Sequence, residues 1–359
     1  VVLAVYNEEL VLRQCLDSLL SIDYPHELFE ILVGSDGSSD RTDEILRTYG
    51  LRYPQLRYSL FSERRGKVPV VNDLVSKSVG EIILFTDADV AFSSNIVQQH
   101  LRHYADGSVG GVAGSFMLAG QRDEGPLGAE QDYMSLEVRL RQNESDLDST
   151  VGIFGGNYSL RKEYWSPLPN LPICDELYST LRIIRRGKRM IFDQEALATE
   201  QFGRSMSDEY RRKMRFAARG FYTVRKFPDL LRPFAGLPAL MLWSHKILRW
   251  LTPFFLLTLC AGTIVSWVFD HAAWVSYLGI LEVTIVIAIG LGWLSEITSV
   301  RVPLLRKAYW FFVMNVAFAR GTLNFLFGNE KKFWTQPTRY IGTGIPSVED
   351  VGSQVAPLP

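Results

Sequence analysis

Through its first two hundred positions the chain alternates short apolar runs with segments of helical spacing. Residues 1–6, 30–34, 56–61, 81–86 and 109–117 read as strands. Residues 8–21, 40–49, 68–79 and 95–104 carry apolar side chains three and four apart and read as amphipathic helices between them. Strand, helix and strand in succession is the crossover that a parallel sheet needs. The expected class is therefore α/β, a doubly wound and mostly parallel sheet. The first residues already have strand character, so the chain is expected to start inside its first strand.

The pattern changes after residue 205. Residues 207–227 are strongly basic and could form an amphipathic helix, and Pro228, Pro233 and Pro238 then punctuate the chain. Residues 239–250 mix Met, Leu and Trp with His245, Lys246 and Arg249, as a helix lying in a membrane interface does. No lysine or arginine occurs between Arg249 and Arg301. Within that gap, residues 251–269 are uncharged, and residues 274–294 carry only Glu282, with a tryptophan at each end. Both stretches are long enough to cross about 30 Å of hydrocarbon. Residues 308–327 are apolar but interrupted by Asn315, Arg320 and Asn324. They read either as a third span or as an interfacial or re-entrant segment. The positive-inside tendency is at odds with a third span, which would export Lys331, Lys332 and Arg339. Glu282 and Arg320 are expected to face each other or to line an acceptor path, since intramembrane charges are costly alone. The expected organisation is an α/β domain at 1–205, coupling helices at 206–250, a transmembrane region at 251–327 and a polar tail at 328–359.

Composition narrows the function. The 359 residues hold 38 basic and 39 acidic side chains and are 47% hydrophobic. That excludes a disordered chain, and the near-neutral balance argues against a nucleic-acid binder. Cys15, Cys174 and Cys260 form no CxxC, so neither a disulfide framework nor a zinc site is expected.

Ligands of open α/β sheets bind beyond the carboxyl ends of the strands. Three acidic motifs fall there: Asn7-Glu8-Glu9, Asp36-Gly37-Ser38-Ser39-Asp40 and Asp87-Ala88-Asp89. Two carboxylates one residue apart at the end of a buried strand suit a divalent cation, Mg2+ or Mn2+, which shares one or two carboxylates with water and diphosphate oxygens. Arg64-Arg65-Gly66-Lys67 is a cationic turn ahead of a helix, suited to an anion.

These motifs, in this order, resemble family 2 glycosyltransferases of the GT-A fold. The match continues through Asn72, Phe154-Gly155-Gly156-Asn157, Asp175-Glu176-Leu177 and Arg212-Lys213-Met214-Arg215-Phe216. The last of these sits where membrane-embedded polysaccharide synthases carry Q-x-x-R-W. The resemblance covers roughly residues 1–340 and is nearest to bacterial membrane-bound enzymes making exopolysaccharide, such as poly-N-acetylglucosamine and cellulose synthases, or glycolipid. It implies a UDP-sugar donor held by Tyr6, Asn7, Glu9, Asp36, Lys67, Asp87, Arg212 and Arg215. It implies a metal on Asp89, an acceptor segment at Gly156 and Asn157, and a general base at Glu176 or Asp175. The implied partners are a polysaccharide or lipid-linked acceptor, the lipid bilayer and other export-complex subunits. The implied location is the inner (plasma) membrane, multi-pass, with the catalytic domain cytoplasmic. Arg212 and Phe216 replace the Gln and Trp of the synthase motif, so single addition to a glycolipid stands beside processive synthesis. A non-catalytic subunit of an export complex and a sugar nucleotidyltransferase are the remaining alternatives.

Overall fold

The computed structural model describes residues 1–118, 126–200, 206–232, 234–269, 272–298, 302–329, 345 and 348. The four expected β–α pairs form: β1 (Val2–Val5), α1 (Leu12–Leu20), β2 (Ile31–Asp36), α2 (Thr42–Arg52), β3 (Leu56–Phe61), α3 (Lys67–Lys77), β4 (Ile82–Thr86) and, after β5 (Val90–Phe92), α4 (Ile96–Leu101). Side-chain alternation along the strands explains the two layers. Leu3, Val5, Ile31 and Val33 face Leu12, Leu16 and Leu19 of α1 and Ile45 and Leu46 of α2. Val2 and Leu32 point the other way, onto Val70, Val71, Leu74 and Val75 of α3.

Beyond β4 come β6 (Val109–Leu118), α5 (Pro126–Leu147), β7 (Tyr158–Arg161), α6 (Asp175–Arg185) and β8 (Arg189–Glu200). The eight strands join in the order β3-β2-β1-β4-β7-β6-β8-β5. β1–β2, β1–β4, β2–β3 and β6–β8 are parallel, while β7 runs antiparallel to both neighbours and β5 antiparallel to β8. The sheet cannot be flat. Only Asp87-Ala88-Asp89 joins β4 to β5, a reach of roughly 14 Å, yet a flat sheet would set them about 19 Å apart across four strand spacings. The sheet curls to close that distance, helped by a register shift at Gly114/Ser115, and the three-residue link crosses the resulting mouth.

α7 (Met206–Val224) carries the basic stretch, followed by α8 (Leu237–Met241), a π-turn at Leu242–Ile247 and α9 (Leu248–Phe269), which run on as one helix. α10 (Ala273–Ile297) and α11 (Pro303–Leu326) complete the chain of helices. Among the described residues two helices are long and apolar enough to cross a membrane, Leu237–Phe269 and Ala273–Ile297, and most of their apolar side chains are exposed. α11 differs. One face of it lies on α7, where the Cα of Gly321 sits so close to the Met214 carbonyl that a Cβ would stand 2.3 Å from that oxygen. Gly220 of α7 accepts the Trp250 indole in the same way. Glu282 takes its hydrogen bond from Thr263 on α9 (2.9 Å), rather than from Arg320, which is exposed on α11. Thr263 is the nearer partner because α9 and α10 are antiparallel neighbours. Lys331, Lys332, Arg339 and almost all of the polar tail lie outside the described residues. Ile345 is an exception: it is buried in the core beside α1, and its backbone amide donates to the side-chain oxygen of Gln14 at 2.5 Å.

Candidate active site

A cleft of about 360 Å3 opens at the carboxyl ends of β1, β2 and β4. It collects Tyr6, Asp36, Lys67, Asp87, Asp89, Gly156, Asp175, Glu176, Arg212 and Arg215, residues up to 209 positions apart in the chain. Asn7, Glu9 and Asn157 are not among its lining residues.

At the β1–β2 end the backbone is locked by side chains. Asn7 adopts a left-handed φ of 53°, and its Oδ1 accepts from Ser39 N at 2.8 Å. Glu9 Oε2 accepts from Arg41 N at 3.1 Å, and Glu9 N donates to Asp40. These two residues therefore clamp one loop to another. Asp36 lines the cleft, but its two carboxylate oxygens accept from Arg65 N (2.7 Å) and Gly66 N (2.8 Å), so it also fixes the cationic turn. That turn lays the Arg64 guanidinium on the Tyr6 ring at 3.8 Å, a flat cationic and aromatic wall.

Lys67 opens α3 and bridges two carboxylates, Asp87 at 2.9 Å and Asp175 at 3.1 Å. Burial works against the ammonium charge, but Asp175 and Asp87 outweigh it and hold its pKa well above the ordinary value. Asp175 and Glu176 are the first residues of α6, where the helix dipole favours acids. Their environments differ. Burial opposes the charge of Asp175, yet Lys67 keeps its pKa below the usual carboxylate value. Burial and the charge on Asp175 push the Glu176 carboxyl up to about 7. The Cys174 thiol donates to Glu176 Oε1 at 2.9 Å. Gly155 marks the centre of the site: a Cβ there would stand 3.6 Å from Glu176 Oε2 and 3.8 Å from Asp87 Oδ2.

The strands added beyond β4 contribute an acid that the motifs did not signal. Glu200 ends β8, directly across the ladder from Val90 and so beside Asp89. Burial and the nearby Asp89 raise its carboxyl to about 8, with Arg212 opposing. The sequence signal was available: an acid closing an apolar strand run, as at Asp36 and Asp87. Among the described residues no group of three His, Cys, Asp or Glu side chains is arranged as a metal cage. Magnesium and manganese need only one or two carboxylates when water and diphosphate complete the shell. Asp87, Asp89, Glu200 and Glu209 line one cleft, and that gathering of acids suits a cation of that kind.

Arg212 contacts Glu209 through Nε (3.1 Å) and Nη2 (2.9 Å), one turn earlier on α7. Asn157 is fully buried beneath the cleft. Its Nδ2 donates to the carbonyls of Ser115 (3.0 Å) and Ala196 (2.9 Å), and its Oδ1 lies 3.0 Å from His100 Nε2. The side chain is thus consumed in tying β6 to β8 and cannot reach an acceptor; the backbone of Gly156 does face the cleft. Asn157→Ala should lower the unfolding free energy by about 2–4 kcal/mol, because several buried partners lose their bonds at once. Denaturant melts will register this.

Comparison with known proteins gives the family and agrees with the fold. The family described as Glycosyl transferase family 2 matches residues 1–165. The uncharacterized glycosyltransferase YkcC of Bacillus subtilis is 31% identical over 250 residues, covering 69% of each chain. The poly-beta-1,6-N-acetyl-D-glucosamine synthase of Staphylococcus epidermidis is 26% identical over 196 residues, 54% of this chain and 46% of that one, so this chain spans under half the synthase's length. Among solved structures, mannosyltransferase PcManGT from Pyrobaculum calidifontis, in complex with GDP-Man and Mn2+, superposes with a TM-score of 0.68 at 19% identity. That superposition covers 92% of this chain and 87% of that one. With a GT-A sheet, and with a relative of this identity and coverage, the chain is a glycosyltransferase and belongs to family 2.

Proposed function

We propose that the chain is a membrane-bound inverting transferase that moves a sugar from a UDP-sugar to a hydroxyl of a polysaccharide or lipid-linked acceptor. The observation that carries this reading is the Gly155 cradle, where the Glu176 and Asp87 carboxylates both come within 4 Å of the place a Cβ would take. Glu176 has the better features of a base. It titrates near neutrality, where a general base is most effective, whereas Asp175 is neutralised by Lys67. Glu176 would take the proton of the acceptor hydroxyl as that oxygen attacks the anomeric carbon. The departing diphosphate leaves on the opposite face, towards Lys67, Arg64 and Arg215. Asp89 would hold a divalent cation, which when bound supplies positive charge to the diphosphate.

Catalytic residues at 1–205, coupling helices at 206–250 and membrane helices thereafter form the organisation we favour. The exposed apolar faces of α9 and α10 need a lipid covering, and Arg306 and Lys307 after the second helix suit a cytoplasmic return. The partly exposed Phe216 at the cleft, where polymer synthases carry Trp, favours single addition as a second reading.

The test is nucleotide release from membranes containing the protein, with a panel of UDP-sugars and GDP-mannose as the contrasting donor. One UDP-sugar should give release that chelators abolish and that Asp89→Ala reduces by about 100-fold or more. Release from GDP-mannose alone would replace the uridine donor, and release from no donor would overturn catalysis. The length of the radiolabelled product separates polymer from single addition.

A further inference from the structure

Besides the Arg64–Tyr6 wall the cleft has a second part, formed by α5, the π-turn and the start of α9. Arg141, Lys246 and Arg249 line it, with Glu137 beneath them. Glu137 receives Arg141 (3.0 Å), Arg249 and His245 (3.1 Å), while the other carboxylate of the cluster, Glu144, is occupied by His245 (2.7 Å), Thr150 and the Val151 amide. His245 aside, three cations share two carboxylates. Arg141 is 4% exposed, and its Nε and Nη1 have no hydrogen-bond partner among the described residues. A buried guanidinium with open N–H groups is expensive unless a ligand completes it. Its face rests on the Phe154 ring at 3.5 Å, which leaves the edge to act. Lys246 Nζ comes within 2.8 Å of the place a Cβ on Gly152 would take, three residues before the Gly155 cradle. Burial lowers the pKa of Arg141 although Glu137, Tyr133 and Glu144 oppose it. Trp250, Phe318 and Met134 form the apolar wall of this part, and α9 continues from it as an exposed apolar helix.

We propose that Arg141, Lys246 and Arg249 form an anion subsite that holds the phosphate in the headgroup of an acceptor lipid, with the lipid chain against Trp250 and Phe318. This rests on the transferase reading and specifies its acceptor. The donor diphosphate is assigned elsewhere: Tyr6, Asp36 and Asp87 follow β1, β2 and β4, whereas Arg141 belongs to α5, Lys246 to the π-turn and Arg249 to α9. Arg141 stacks on Phe154 and Lys246 nears Gly152, whereas Glu176 and Asp87 flank Gly155; in this proposal the phosphate is a handle that positions the acceptor, and the nucleophile is a hydroxyl.

The test is calorimetric titration of the full chain in neutral detergent with dodecyl phosphate, dodecanol and inorganic phosphate. Dodecyl phosphate should bind at least about tenfold more tightly than either other probe, and Lys246→Met and Arg141→Gln should each remove most of that margin. Lys246→Arg should restore it. Arg141 packs in the core, and Lys246→Met keeps the test valid if Arg141→Gln unfolds the domain. Equal binding of dodecyl phosphate and dodecanol, or unchanged binding in Lys246→Met, overturns the subsite. Inorganic phosphate binding as tightly as dodecyl phosphate overturns the lipid headgroup as its source. Asp89→Ala should lose nucleotide release and keep dodecyl phosphate binding. Wild-type protein that releases nucleotide but binds no dodecyl phosphate would sink the subsite and leave the transferase reading standing; binding without release would do the reverse.

Discussion

Glu176→Gln should lower kcat by about a thousandfold and leave the KM for the nucleotide sugar within about threefold. The amide preserves the size of the side chain and can still receive the Cys174 thiol, so the α6 terminus should fold unchanged. What it loses is the ability to take a proton. Steady-state kinetics with the donor identified by nucleotide release measure both constants. A fall in kcat of less than about tenfold would remove Glu176 from the chemistry and return the role to Asp175. The same measurement in wild type has a defined pH dependence. Glu176 must be ionised to act, and burial with Asp175 raises it to about 7. kcat/KM should therefore climb as pH rises towards 7 and level off above it.

The half of the molecule that was legible in the sequence is the half with regular periodicity. β1, β2, β3, β4 and β6 and the helices between them follow from alternating and 3.6-spaced apolar positions, and their carboxyl ends put Asp36 and Asp87 in one cleft. β5, β7 and β8 were not foreseen. β5 is three residues long, too short for any period, and β7 runs antiparallel in the middle of the sheet, where only tertiary pairing specifies it. Glu200 was missed with them, since its place beside Asp89 depends on the sheet curling. Asn157 shows the converse limit. A motif locates a residue along the chain but not the direction of its side chain, and here the amide turns down between β6 and β8. The buried ions of α5 were legible in principle, with Glu137, Arg141 and Glu144 spaced four and three apart on one helical face. Their partner His245 comes from a segment a hundred residues later, a contact that no local pattern carries.

Lys67→Met and Asp175→Asn should move the acid limb of kcat/KM in opposite directions, and each should cost kcat about a hundredfold or more. Lys67 lies between Asp87 and Asp175, and its charge is one of the influences that favour ionised Glu176. Removing it leaves Asp175 beside Glu176 without compensation. The proton on Glu176 is then held more tightly, and the limb shifts above 7. Asp175→Asn removes the negative neighbour that raises Glu176 and leaves Lys67 in place, so the proton is released more readily and the limb shifts below 7. Both variants lose activity for separate reasons: the first loses a cation near the departing diphosphate, and the second weakens the base by lowering its affinity for the proton. A general loss of structure would reduce the rate at every pH without this opposition of sign. Limbs that move together, or remain at the wild-type position in both variants, would show that the ionisation controlling the rate is not that of Glu176.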